Sequence, residues 1–200
     1  MNNFFPLTSK NLVLGASYYQ PLQTSPAHVE LADPAVWVMT DLKAVMAVTI
    51  GLDKTAEAAR ERMIRHSVRL LLVIDDQETV LGLVTATDIL GEKPLQFIQK
   101  SGGRREDVLV RNIMTQQEKL EVLSMQDVAA AKVGHIVATL EKCGRQHALV
   151  VDTAGPGHAQ QVRGIFSATQ ISKLLGTEIQ TLEIAQTFAE IQAQLAKSRE

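Results

Sequence analysis

Two kinds of hydrophobic pattern alternate along the chain. Short apolar runs such as RLLLVID (Arg69 to Asp75) and TVLGLVTA (Thr79 to Ala86) are rich in branched residues and bounded by turn residues. They predict strands buried on both faces. Between such runs lie stretches with helical composition. DKTAEAARERMIRH, opening at about Asp53, carries the Ala, Glu and Arg content of a helix, and TDILGEK begins another. With AVMAVTI (Ala44 to Ile50) as a first strand, the order is strand, helix, two strands, helix.

The same order then returns. LEVLSM, DVAAAKVGHIVATLEKC, HALVVD, VRGIFSA and TQISKLLG repeat it in the second half, with the long helix predicted as one piece. Met39-Thr40 recurs 75 residues on as Met114-Thr115, Arg69 to Asp75 recurs 77 on as Gln146 to Asp152, and Gly82 recurs 82 on as Gly164. A period of this kind marks a duplicated structural unit. The offset grows because the second copy has longer loops, DTAGPGHAQQ standing where the first has DDQET. One word changes in the closing stretch: GLVTATDIL becomes GIFSATQIS, with Gln170 where the first copy has Asp88.

Outside the copies, residues 1–35 hold Pro6, Pro21, Pro26 and Pro34 with little periodicity and predict an extended or irregular arm. Residues 36–91 form the first unit, 92–111 a linker and 112–176 the second unit. Residues 177–200 predict a helix whose apolar stripe, including Ile179, Leu182, Phe188 and Leu195, packs on the protein itself or on another copy.

Composition narrows the class. Of 200 residues, 46% are apolar and 21% charged, which describes a folded globular chain. A net charge of −2 offers no electrostatic footprint for nucleic acid. Cys143 is the sole cysteine, so there is no intrachain disulfide and no thiolate cluster, and a reducing cytoplasm is expected. The opening MNNFFPLTSKNLVLG lacks the pattern of a secretory leader, and no segment reaches the roughly 20 apolar residues of a membrane span.

The pieces VMT and IMT opening the copies, HSVRLLLVID and CGRQHALVVD before the turn, and GLVTATDIL and GIFSATQIS closing them resemble the tandem cystathionine-β-synthase (CBS) domain pair, or Bateman module. The resemblance implies an α/β (α+β) fold of two βαββα units related by a pseudo-twofold axis and usually assembled as a homodimer. It also implies a stand-alone regulatory module, not an enzyme, that binds AMP, ADP, ATP or S-adenosylmethionine between its units and acts on a protein target. By the same resemblance Thr85, Thr87 and Asp88 would hold phosphate and ribose. Val48, Thr49, Ile50, Arg69 and Leu70 would line the adenine pocket.

The chemistry of the closing stretch is legible independently. A carboxylate accepts from both hydroxyls of a ribose, which suits Asp88 to that task. The Thr85 hydroxyl and the free N–H groups of a helix start suit a phosphate. A second reading stands beside it: Thr-x-x-Asp and Ser-x-x-Gln both fit a helix capping box, a purely structural device that tolerates Asp or Gln alike. Ribose binding does not tolerate the change, because an amide has one acceptor oxygen and no charge. The first copy is therefore read as capping box and ligand site. In the second, Ser167 and Gln170 form a capping box, and Arg145, Gln146 and His147 line a weaker second cleft.

The five histidines show no spacing for a metal site, and Cys143 is expected to be a buried structural cysteine. No nucleophile with a base and an orienting group is apparent. A sensor of adenine nucleotides and a module that binds only proteins remain as the alternatives.

Overall fold

The computed structural model describes residues 26–153 and 159–179. The C-terminal helix predicted to run to residue 200 and the first 25 residues of the arm lie outside the described residues.

Eight strands form two four-stranded sheets among these residues. The strands are β1 (Thr40–Asp41), β2 (Thr49–Gly51), β3 (Leu70–Ile74), β4 (Val80–Thr85), β5 (Thr115–Gln116), β6 (Val122–Ser124), β7 (His147–Thr153) and β8 (Gln160–Ser167). The helices are α1 (Ala56–His66), α2 (Ala86–Leu90), α3 (Lys93–Ser101), α4 (Val110–Ile113), α5 (Met125–Ala130), α6 (Val133–Cys143) and α7 (Ala168–Leu175). One sheet runs β2-β3-β4-β5 and the other β6-β7-β8-β1, so the two are built on one plan. This is the mixed α/β architecture, duplicated, that the repeat predicted.

Each sheet borrows its last strand from the other half of the chain. β1 pairs antiparallel with β8, and β5 pairs antiparallel with β4. The exchanged segments carry core residues with them. Val29, Ala35, Val38 and Met39 pack among second-copy residues around Phe166 and Leu140, while Val108, Val110 and Ile113 pack among first-copy residues around Leu71 and Val84. Thus residues 92–111, read as a linker, include α3 and part of the first core.

The apolar runs explain how the sheets meet. In β3, Leu71 and Val73 face the helices of their own half, and Leu70 and Leu72 face Leu149 of the opposite sheet. That is the two-sided burial that an unbroken apolar strand predicts. Both sheets also carry a bulge at the same repeat position, between Val73 and Ile74 and between Val150 and Val151.

Helix boundaries follow from local bonding. Thr55 accepts from the Ala58 N–H at 3.1 Å and starts α1, and left-handed Ser67 ends it. The stretch predicted as one helix over Asp127 to Cys143 is two, broken at Ala131 and Lys132. The incoming segment takes the backbone groups there: Ala35 N–H donates to the Ala131 carbonyl and Val133 N–H to the Asp33 carbonyl. The strand predicted over Ala44 to Ile50 shortens to Thr49–Gly51, because the Ala44 and Val45 N–H groups close a turn onto the Asp41 carbonyl.

An ion pair secures the exchanged edge of the second sheet. Arg163 donates to Asp41, each side chain being 16% exposed. Asp41→Ala strands a mostly buried guanidinium and is expected to cost about 2 kcal/mol in urea unfolding. Asp41→Leu combined with Arg163→Met should recover most of that loss, and no recovery would remove the ion pair as its source.

Candidate functional site

The start of α2 is built by three hydrogen bonds within one turn. Asp88 Oδ2 accepts from the Thr85 N–H at 2.7 Å and from Thr85 Oγ1 at 2.8 Å, and Thr85 Oγ1 accepts from the Asp88 N–H at 3.2 Å. This is a complete capping box. The Ala86 N–H donates to the Arg69 carbonyl at 2.9 Å and fixes the helix start against β3.

The other oxygen of Asp88 is engaged as well. Lys93 Nζ lies 2.5 Å from Asp88 Oδ1 and donates to the Ile113 carbonyl at 3.2 Å. Asp88 is buried, its side chain 10% exposed, while that of Lys93 is 45% exposed. Lys93 escaped the sequence reading because it sits in the segment taken as a linker. A clue was present: the equivalent residue 82 positions on is Leu175, so the carboxylate and its cation are replaced together in the second copy.

The second copy is capped more weakly. Ser167 accepts from the Gln170 N–H at 3.5 Å, but the Gln170 amide oxygen accepts from Thr40 Oγ1 at 3.4 Å on the exchanged strand β1. The predicted reciprocal box is therefore complete only in the first copy, since Thr40 competes for the Gln170 side chain.

A cleft of about 330 Å3 opens between the two halves at the start of α2. Thr85 and Asp88 line it from the first copy; Arg145, Gln146 and His147 line it from the second, with Thr115, Lys119 and Glu121 completing the polar wall. The three residues expected around a second cleft thus join Thr85 and Asp88 in the first. Arg145 pairs with Glu121 at 2.9 Å. His147 is held neutral, its pKa lowered from 6.5 to about 4, chiefly by burial and then by the Arg69 charge, with Asp88 opposing.

The remaining sequence-predicted residues are placed elsewhere. Ile50 belongs to the first core, with Val48 packed against it, and Leu70 to the core between the sheets. Thr49 pairs with Leu72 in β2, Arg69 is exposed just before β3, and the Thr87 carbonyl accepts from the Gly91 N–H. Cys143, expected buried, is exposed at the end of α6. Among the described residues no three His, Cys, Asp or Glu side chains are grouped to hold a metal ion, and no helix is long and apolar enough to cross a membrane.

The arrangement can hold a ligand that offers hydroxyl donors to Asp88 and negative charge to Lys119 and Arg145. The helix start itself is a poor phosphate site: α2 has five residues, and the Thr85 N–H and hydroxyl are spent on Asp88.

Residues 38–94 match the CBS domain family. In fold the chain is similar to an uncharacterized conserved protein from Pyrococcus horikoshii, at 21% identity over 72% of this chain and 92% of that one, with a TM-score of 0.50. Also similar are CBSX2, a CBS-pair protein from Arabidopsis thaliana, solved in complex with AMP (20% identity, 70% and 93% covered, TM-score 0.49), and a CBS domain pair solved with 5'-methylthioadenosine and S-adenosyl-L-methionine (18% identity, 68% and 94% covered, TM-score 0.47). Comparison with curated proteins finds no match. The likeness to the CBS domain family thus rests on residues 38–94, and over 72% of its length the chain shares the fold of the Pyrococcus horikoshii protein.

Proposed function

We propose that the protein is a regulatory module that binds an adenine nucleotide in the cleft at the start of α2 and passes occupancy to a partner by conformational change. The observation that carries this reading is the composition of that one wall. A carboxylate suited to a ribose diol, Asp88, shares a cleft of about 330 Å3 with two cations suited to phosphate, Lys119 and Arg145, and they come from both halves of the chain. A ligand there touches both halves at once, so its binding favours one relative placement of them. No catalytic group is assigned, and the single-cysteine composition supports a reducing cytoplasm. Exposed Ile64, Leu90 and Leu95 on α1, α2 and α3 are surface on which a homodimer could draw.

Calorimetric titration with AMP, ADP, ATP and S-adenosylmethionine tests the reading. One saturable site per chain is expected, weakened at least about tenfold by Asp88→Ala, because the deleted group is a charged acceptor. Two equal sites would show that Gln170 does not disable the second copy. No heat with any ligand would remove the nucleotide reading.

A second reading is favoured by one observation: Asp88 already satisfies its own helix cap and an internal lysine. On that reading the ion pair is structural and the module binds only proteins. Its mark would be indifference to every nucleotide together with loss of oligomeric state, or of a pulled-down partner, on deletion of residues 177–200.

A further inference from the structure

A carboxylate offers about four acceptor positions, two on each oxygen. On Asp88, Oδ2 is filled by the Thr85 N–H and hydroxyl, and one position of Oδ1 by Lys93. Among the described residues one position on Oδ1 is left, which accommodates a single hydroxyl. A vicinal diol needs two, and only the Lys93 position can be vacated without undoing the helix cap.

We propose that Lys93 is a latch on the cleft: its ammonium occupies the acceptor position that a ribose diol requires, and the ligand binds fully only by displacing it. The latch rests on the nucleotide reading given above and adds how that site is regulated. Three features support it. Lys93 opens α3 with buried Pro94 beside it, so the amine is presented by a stiff helix start and not by a loose surface chain. Its side chain is half exposed, so water takes up the released ammonium at little cost. And the second copy, with Gln170 for the carboxylate, has Leu175 in place of the lysine, so the cation is present only where the carboxylate is.

Release would also reach beyond the cleft. Lys93 Nζ bonds the carbonyl of Ile113, the last residue of α4, two residues before the cleft residue Thr115. A displaced amine therefore breaks the Lys93 bond from α3 to the end of α4, just before the exchanged strand β5, giving occupancy an outlet on the exterior helices.

The test uses calorimetric titration of the full chain with adenosine and with AMP at low and high KCl, for the wild type, Lys93→Leu and Lys93→Arg. Adenosine is uncharged, so any salt dependence of its binding reports the protein's own ion pair. Lys93→Leu should bind adenosine about three- to tenfold tighter than wild type. Wild type and Lys93→Arg should tighten as KCl rises, and Lys93→Leu should not. Adenosine bound by Lys93→Leu no more tightly than by wild type, or a wild-type affinity indifferent to salt, would overturn the latch and leave the nucleotide reading intact. Should Lys93→Leu fail to fold, the salt response of wild type and Lys93→Arg decides alone. If neither adenosine nor AMP binds wild type or a folded Lys93→Leu, the nucleotide reading fails and the latch fails with it.

Discussion

Gly82→Ala is expected to destabilise the protein by about 3 kcal/mol, and Gly164→Ala, its counterpart in the repeat, by about 1 kcal/mol. Both glycines sit where an exchanged strand crosses. A Cβ on Gly82 would lie 2.2 Å from the Thr115 carbonyl oxygen and 3.2 Å from the Gln116 Cα, both backbone atoms of β5. A Cβ on Gly164 would meet Met39, with Sδ at 2.4 Å and Cγ at 2.7 Å, which belong to a flexible side chain. Methionine can rotate away, whereas β5 can move only by breaking its pairing with β4. In a chain of this length the first change corresponds to a fall of about 6–12 °C in melting temperature. Thr115 lines the cleft, so Gly82→Ala should also weaken any ligand held there, and Gly164→Ala should not. Equal losses from the two substitutions would mean that the strand crossing is not what these glycines serve.

The same glycines show what the sequence could and could not convey. The duplicated plan was legible because β3 is five continuous apolar residues and β7 holds the apolar run Ala148 to Val151, long enough to show a pattern. Thr85 and Asp88 were legible because a capping box is local, spanning four residues. The exchange was not, since β1 and β5 are two residues each, too short to carry any period. Its trace was the recurrence of Gly82 and Gly164 together with Met114 and Met39, which the structure brings into contact across each exchanged strand. Two further differences descend from it. The helix expected over Asp127 to Cys143 is split where the crossing segment takes its backbone groups, and Gln170 leaves its cap for Thr40 on β1. Arg145, Gln146 and His147 were expected in a cleft of their own because each copy was read as building one cleft, whereas the packing of sheet on sheet brings the start of β7 to the start of α2.

The second large effect is in the pH dependence of stability, and His147 is its source. Its folded pKa is about 4 against an ordinary 6.5, because burial and the nearby Arg69 charge disfavour the imidazolium more than Asp88 favours it. Above 6.5 the ring is neutral in both the folded and unfolded chain and contributes no slope. Between 6.5 and about 4 the unfolded chain holds a proton that the folded one does not, so stability falls as pH falls, and the loss is complete below 4. The ring is partly exposed, which limits the loss to about 2 kcal/mol. His147→Gln should therefore match the wild type in urea unfolding at pH 7.5 and exceed it progressively on acidification to pH 4. Carboxylates titrate in the same range in both proteins, so the difference between the two curves isolates the histidine. Parallel curves would place the ring in water. A neutral imidazole also fixes the division of labour in the cleft. It can exchange hydrogen bonds with an uncharged base or hydroxyl, but it brings no charge to a phosphate. On the nucleotide reading proposed above that task would fall to Lys119 and Arg145, and AMP binding should pass through the ordinary histidine range without a step from His147.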